Sequence, residues 1–124
     1  MHEAGIAASI LDIVRRYVPE ARAEFVRGVH VRIGAMAGVV PETLAFCFAA
    51  AVEGTPYGRA VLEIEHVPLK GRCKDCGASM SMREPAFWCP ECGSPRVQLI
   101  SGREMQVEDV ELDDAPAEGE KATL

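Results

Sequence analysis

The feature that most constrains this chain is the run Cys73-Lys74-Asp75-Cys76-Gly77, answered after a short interval by Cys89-Pro90-Glu91-Cys92-Gly93. Two cysteines separated by two residues lie on opposite sides of a tight turn and aim both sulfurs at one point. A second such turn brings four thiolates within tetrahedral reach of one cation. Gly77 and Gly93 follow the second cysteine of each pair, where the turn needs positive φ and a backbone N–H can donate to sulfur. Each half is a knuckle, and Cys73, Cys76, Cys89 and Cys92 are the expected ligands of a structural zinc ion.

The interval from Gly77 to Trp88 offers only Ala78, Met80, Met82, Ala86, Phe87 and Trp88 as apolar residues. That is too little for an independent core, so the metal must supply the stability here. A structural zinc site contributes apparent binding energy on the order of 10 kcal/mol, comparable to the stability of a small domain. Without the ion, this stretch is expected to be disordered. Thioredoxin-like redox chemistry uses one such pair at a helix start, and disulfides fit poorly with a chain whose first residues lack signal-peptide character. A rubredoxin-type iron site uses similar knuckles and would colour the protein.

The chain has 124 residues, 48% of them apolar. That supports one compact domain with a small insertion rather than two full cores. No apolar run approaches the ~20 residues that span a bilayer. The reading is a soluble, cytoplasmic protein with no membrane partner. A net charge of −6 opposes non-specific nucleic-acid binding, which depends on Lys and Arg neutralising phosphates. Around the knuckles, Lys70, Arg72, Lys74, Arg83 and Arg96 stand against Asp75, Glu84 and Glu91, a mild excess and no basic stripe.

Along the chain, Ile6, Ile10, Leu11, Val14, Tyr17 and Val18 recur at spacings of three and four, which predicts an amphipathic helix from near the first residue to about Tyr17, stopped by Pro19. Val29, Val31 and Ile33 alternate with His30 and Arg32 and predict a half-buried strand ended by Gly34. Pro41 and Glu42 suit the first turn of a second helix. Its run from Leu44 to Val52 is apolar on nearly all sides and predicts extensive burial, with Cys47 as a small buried hydrophobe. Ala60 to Val67 predicts another strand. Val97 to Ile100 and Met105 to Leu112 predict the chain's return to the same sheet, broken at Gly102. The fold class is α+β: two helices packed on a small three-stranded sheet, with an inserted four-cysteine zinc-knuckle module. The expected organisation is an α/β domain at 1–70 plus 101–112, a zinc module at 71–100, and a disordered acidic tail at 113–124.

A second candidate site is the amino terminus. A free Met1 amine, the next backbone nitrogen and the His2 imidazole can present several nitrogen donors in one plane, an arrangement suited to Ni(II) or Cu(II). A histidine beside a terminus is ordinarily just solvated, and Glu3 is equally a common first-turn carboxylate. The residues alone leave both readings open. His30 and His66 read as structural or surface groups on strands.

Met1-His2-Glu3 before an amphipathic helix, Val31-Arg32-Ile33-Gly34, Gly38-Val39-Val40-Pro41-Glu42, Leu62-Glu63-Ile64-Glu65, the two knuckles and Ser101-Gly102-Arg103-Glu104 together resemble the HypA/HybF family of hydrogenase nickel-incorporation proteins. The likeness runs from Met1 to about Leu112. It implies a nickel metallochaperone rather than an enzyme, delivering Ni2+ as cargo during [NiFe] hydrogenase maturation. The implied partners are a maturation GTPase and the hydrogenase large subunit, with no nucleic acid, and the chain itself is compatible with a monomer or a homodimer. By the same resemblance, nickel is held at Met1, His2 and Glu3, with Glu3 orienting the first residues, while Zn2+ on the four cysteines is structural. This chain has Ala35 where family members often carry glutamate, and its nearest acidic residue to the loop before the second helix is Glu42. The alternatives from the residues themselves are a zinc-ribbon adaptor or a rubredoxin-like protein without exchangeable nickel.

Overall fold

The computed structural model describes residues 2–83 and 88–113 and the backbone of 121–123. Expectations for Met1, Ala86, Phe87 and residues 114–120 and 124 lie outside these. The chain divides into two compact units.

The first unit comprises Met1–Arg32, Val39–Glu65 and Gln106–Leu124. Helix α1, Glu3–Tyr17, buries Ala7, Ile10, Leu11 and Val14 along one stripe. The chain leaves helical geometry at Val18, whose N–H donates to the Val14 carbonyl at 2.8 Å, because Pro19 disfavours the helical conformation of the residue before it. A 3-10 segment, Glu20–Phe25, leads into strand β1, Val26–Gly34. Val29 and Val31 of β1 are buried while His30 and Arg32 are half-buried on the opposite face, as alternation requires.

Helix α2, Pro41–Val52, packs against α1 and buries Leu44, Phe48 and Val52. The expectation of burial on nearly all sides is corrected: Phe46 is 74% exposed and Cys47 is only half-buried. One face of α2 finds packing partners, and residues spaced by four occupy it. Beyond the helix, the Tyr57 hydroxyl donates to the Val18 carbonyl at 2.7 Å in a buried setting.

Strands β2, Val61–Val67, and β6, Met105–Leu112, flank β1, and a short strand β7, Lys121–Thr123, completes the order β2-β1-β6-β7. The three expected strands are thus neighbours. β7 adds a fourth from within the stretch read as a disordered acidic tail, pairing Asp109 with Thr123 and Glu111 with Lys121 in antiparallel register. It satisfies backbone groups on the β6 edge that would otherwise face solvent.

The second unit comprises Ile33–Gly38 and His66–Met105. It has its own antiparallel sheet in which β3, Leu69–Cys73, lies between β4, Ser79–Met82, and β5, Val97–Ser101. This corrects the expectation that Val97–Ile100 returns to the first sheet. Its partner is β3, with Arg72 opposite Gln98 and Cys73 opposite Val97. After β5, the chain turns at Gly102, where φ is 119°. Met36 donates its N–H to the Gly102 carbonyl and Gly34 its N–H to the Glu104 carbonyl, both at 2.7 Å. A Cβ at Gly34 would stand 2.2 Å from Gly102 backbone atoms, so only glycine allows this approach. Among the described residues, no helix is long and apolar enough to cross a membrane.

Candidate metal centre

The knuckles are built alike. Cys73 ends β3, its N–H donates to the Ala78 carbonyl at 2.9 Å, and its carbonyl accepts the Gly77 N–H at 3.0 Å. In the other knuckle, the Cys89 N–H donates to the Ser94 carbonyl at 2.7 Å and its carbonyl accepts the Gly93 N–H at 2.8 Å. Gly77 and Gly93 take φ of 78° and 77°, the left-handed geometry that each tight turn demands. The chain therefore folds back around each leading cysteine and turns backbone donors toward sulfur. Asp75 and Cys76 each donate an N–H to Cys73 Sγ at 3.4 Å, and Glu91 donates to Cys89 Sγ at 3.3 Å.

The four expected cysteines come together, with all four sulfurs within 4.8 Å of one another. Cys73 Sγ lies 3.6 Å from Cys92 Sγ, and Cys76 Sγ 3.7 Å from Cys89 Sγ. A tetrahedron of sulfurs with zinc–sulfur bonds of about 2.3 Å has edges of roughly 3.8 Å, so the donor set has the dimensions of a zinc or iron tetra-thiolate site. Its electrostatics agree. The Cys76 backbone N–H, with that of Asp75, draws the Cys73 thiol down to about 6 despite its burial. Although the Ser94 backbone N–H pulls the Cys92 thiol down, the neighbouring sulfurs outweigh it and push that thiol up to about 12. Four thiolates in one place repel one another, and a divalent cation relieves that repulsion. Cys73 and Cys89 are buried and Cys76 and Cys92 exposed. Around them, Asp75 accepts from the Ser94 hydroxyl and pairs with Arg96 at 3.5 Å, which ties one knuckle to the other.

At the amino terminus, His2 is exposed and precedes α1, its carbonyl accepting the Ile6 N–H at 3.1 Å. Glu3 is only 9% exposed, and its Oε2 accepts the Val40 N–H at 3.0 Å. That bond holds the Glu3 carboxyl below the usual carboxylate range and places a negative charge at the positive end of α2. The Glu3 carboxylate thus fixes the start of α1 against the start of α2, while the His2 imidazole stays accessible.

A further constellation, unexpected from sequence, gathers His30, Glu63 and Glu111 on the first sheet, with ligand atoms also within 4.8 Å. Alternation in β1 put His30 on the face opposite the buried Val29 and Val31, and Glu63 is exposed on β2. Only the strand order β2-β1-β6 puts Glu111 beside them.

Residues 1–112 match the family model described as hydrogenase/urease nickel incorporation metallochaperone, HypA. The chain belongs to the HypA family. It is 44% identical over 108 residues to the hydrogenase maturation factor HypA of Chloroflexus aurantiacus, covering 86% of this chain and 95% of that protein. With the protein of the same description from Desulfatibacillum aliphaticivorans, it shares 37% identity over 115 residues, covering 92% and 88%. The solution structure of the Ni metallochaperone HypA from Helicobacter pylori superposes with a TM-score of 0.61 at 22% identity, covering 93% of this chain and all of that one. A second HypA solution structure gives 0.65 at 23% identity. These likenesses establish the fold: two main helices, small sheets and a clustered set of four cysteines.

Proposed function

We propose that this chain is a nickel metallochaperone that binds Ni2+ at its amino terminus through the Met1 amine, the His2 imidazole and intervening backbone nitrogen, and delivers it to a [NiFe] hydrogenase large subunit in the cytoplasm with a maturation GTPase. Glu3 positions this terminus rather than donating strongly to the ion, because its carboxylate is engaged by the Val40 N–H. The zinc on Cys73, Cys76, Cys89 and Cys92 is structural. The observation that carries the reading is the contrast between an accessible His2 on an anchored helix start and a closed four-sulfur set. A carrier needs an exchangeable ion, and a closed tetrahedral thiolate site leaves no open position for a recipient ligand.

Nickel titration of untagged, zinc-loaded protein by calorimetry, with elemental analysis, tests this. The expected result is Ni2+ bound in addition to zinc, lost in His2→Ala with zinc content retained. An amino-terminal extension, which turns the amine into an amide, weakens binding as well. Nickel that enters only by displacing zinc, or equal affinity in His2→Ala, overturns the assignment. A protein that holds one zinc and takes no nickel is instead a zinc-ribbon adaptor.

A further inference from the structure

The outward face of the first sheet carries a histidine flanked by acids on both sides. β1 lies between β2 and β6, so His30 sits between Glu63 of β2 and Asp109 and Glu111 of β6. Its Nδ1 is bonded to the Asp109 carboxylate. An ionised carboxylate only accepts, so in the neutral ring the proton resides on Nδ1 and Nε2 presents its lone pair. Burial lowers the His30 pKa but the surrounding carboxylates raise it above its ordinary value, so a cation at Nε2 competes with a proton. Nε2 faces Glu63 Oε1 at 3.4 Å and Glu111 Oε1 at 3.7 Å. With the ring neutral, three acceptors converge and no donor stands between them.

Three further observations point to a cation at that convergence. The first separation matches the roughly 3.4 Å edge of a tetrahedron whose nitrogen and oxygen donors lie about 2.1 Å from a metal, and exceeds a normal N–H···O hydrogen bond. The floor beneath is Gly28, where an added Cβ would lie 3.0 Å from Glu63 Oε2 and 3.4 Å from both Glu111 Oε1 and His30 Nε2, so the meeting point is kept free of side chain. The nearby arginines are engaged elsewhere. Arg32 pairs with Glu65 and Glu108, and Arg27 and Arg59 pair with Asp113. Among the described residues, the ion pairs of Glu63 and Glu111 run to His30 alone. Three carboxylates around one imidazole remain net negative even when the ring is protonated.

We propose that His30 Nε2, Glu63 and Glu111 form a binding site for a divalent first-row transition ion, with Asp109 orienting the imidazole. The mixed nitrogen and oxygen donors suit Mn2+, Co2+, Ni2+ or Zn2+, and an imidazole ligand argues against Ca2+. Asp109 stands where metal-binding histidines have the carboxylate that fixes their tautomer. Binding displaces any Nε2 proton to solvent. The side chains are partly exposed, so water completes the coordination and exchange is fast. The site is independent of the amino-terminal nickel reading and of the zinc knuckles.

Mn2+ is the probe that separates it from both, because it prefers oxygen and imidazole to thiolate or planar amine and amide nitrogen. In full-length, zinc-loaded protein, Mn2+ should cause saturable paramagnetic broadening of the His30 ring signals and of the amides of Gly28, Glu63 and Glu111. His30→Gln and the Glu63→Gln/Glu111→Gln double variant should each weaken it by about tenfold or more, as loss of a ligand or its support does, and His2→Ala should leave it unchanged. The double variant keeps the test open if His30→Gln fails to fold. Broadening spread over the acidic surface, equal in the variants, or no saturation at all, overturns the proposal. So does a His30 ring that stays doubly protonated in the presence of Mn2+.

Discussion

The two units of this molecule are held together by different physics. In the first, Ile10, Leu11, Val14, Val18, Val29, Val31, Leu44, Phe48, Leu62 and Val110 are buried, enough apolar area for helices and sheet to stabilise one another. In the second, the buried side chains among the described residues are Ile33, Val67, Leu69, Cys73 and Cys89, and β4 and β5 alternate between half-buried and exposed. A sheet so thinly covered is expected to draw its stability from an ion held by the four cysteines. On the proposed function the division matters, because a four-sulfur site confined to the second unit leaves the accessible His2 of the first unit for an ion that must leave.

The largest expected effect tests that dependence. Stripping the metal with a strong chelator under reducing conditions, or replacing Cys73 and Cys76 by serine, should collapse the amide dispersion of β3, β4 and β5 while the helical circular dichroism of α1 and α2 persists. Free energy on the order of 10 kcal/mol is at stake, because the unfolded chain has no preformed site. A metal-free protein that keeps the amides of β3 and β5 protected from hydrogen exchange would show the second sheet to be self-sufficient, and would break the comparison.

The converse substitution comes next. Phe48 is 1% exposed on the inward face of α2, and Phe48→Ala should cost about 3–5 kcal/mol through lost transfer energy and the cavity left behind. The loss should appear as a lower thermal midpoint of the helical signal with the metal content unchanged. Release of metal in step with helix melting would join the two units into one cooperative structure.

In both units, what the sequence makes legible is set by how local each feature is. Period and punctuation are local, so α1 with its stop at Pro19, the alternation of β1, and the doubled knuckle were readable directly. Strand partners are not local. Val97–Ile100 reads as a strand, but nothing in it says that Leu69–Cys73, a segment interrupted by Lys70, Gly71 and Arg72, is its neighbour. The apolar run of α2 could not reveal that Phe46 faces outward, because Leu44, Phe46 and Phe48 look alike until one face finds partners. The Glu3 contact with Val40 and the gathering of Glu63 and Glu111 about His30 likewise exist only once distant segments are placed side by side.

The smallest effect sharpens the account of the first unit. Tyr57 contributes a ring and a hydroxyl that can be separated: the Arg15 guanidinium lies 5.8 Å from the ring centre, and the hydroxyl donates to the Val18 carbonyl where α1 ends. Tyr57→Phe keeps the ring and its cation contact but leaves a buried carbonyl short of a donor, so a loss of about 1 kcal/mol is expected, again with metal content unchanged. Burial raises the Tyr57 phenol above its ordinary range, which means folding favours the protonated form. Its stabilising contribution is therefore fully present below the unfolded-state value near 10 and is lost as pH rises through the higher folded value. Denaturant titrations across that range should show the native protein losing stability relative to Tyr57→Phe, whose curve lacks this step. If both curves fall together, the phenol titrates alike in the folded and unfolded chain, and its burial at the end of α1 does not hold it protonated.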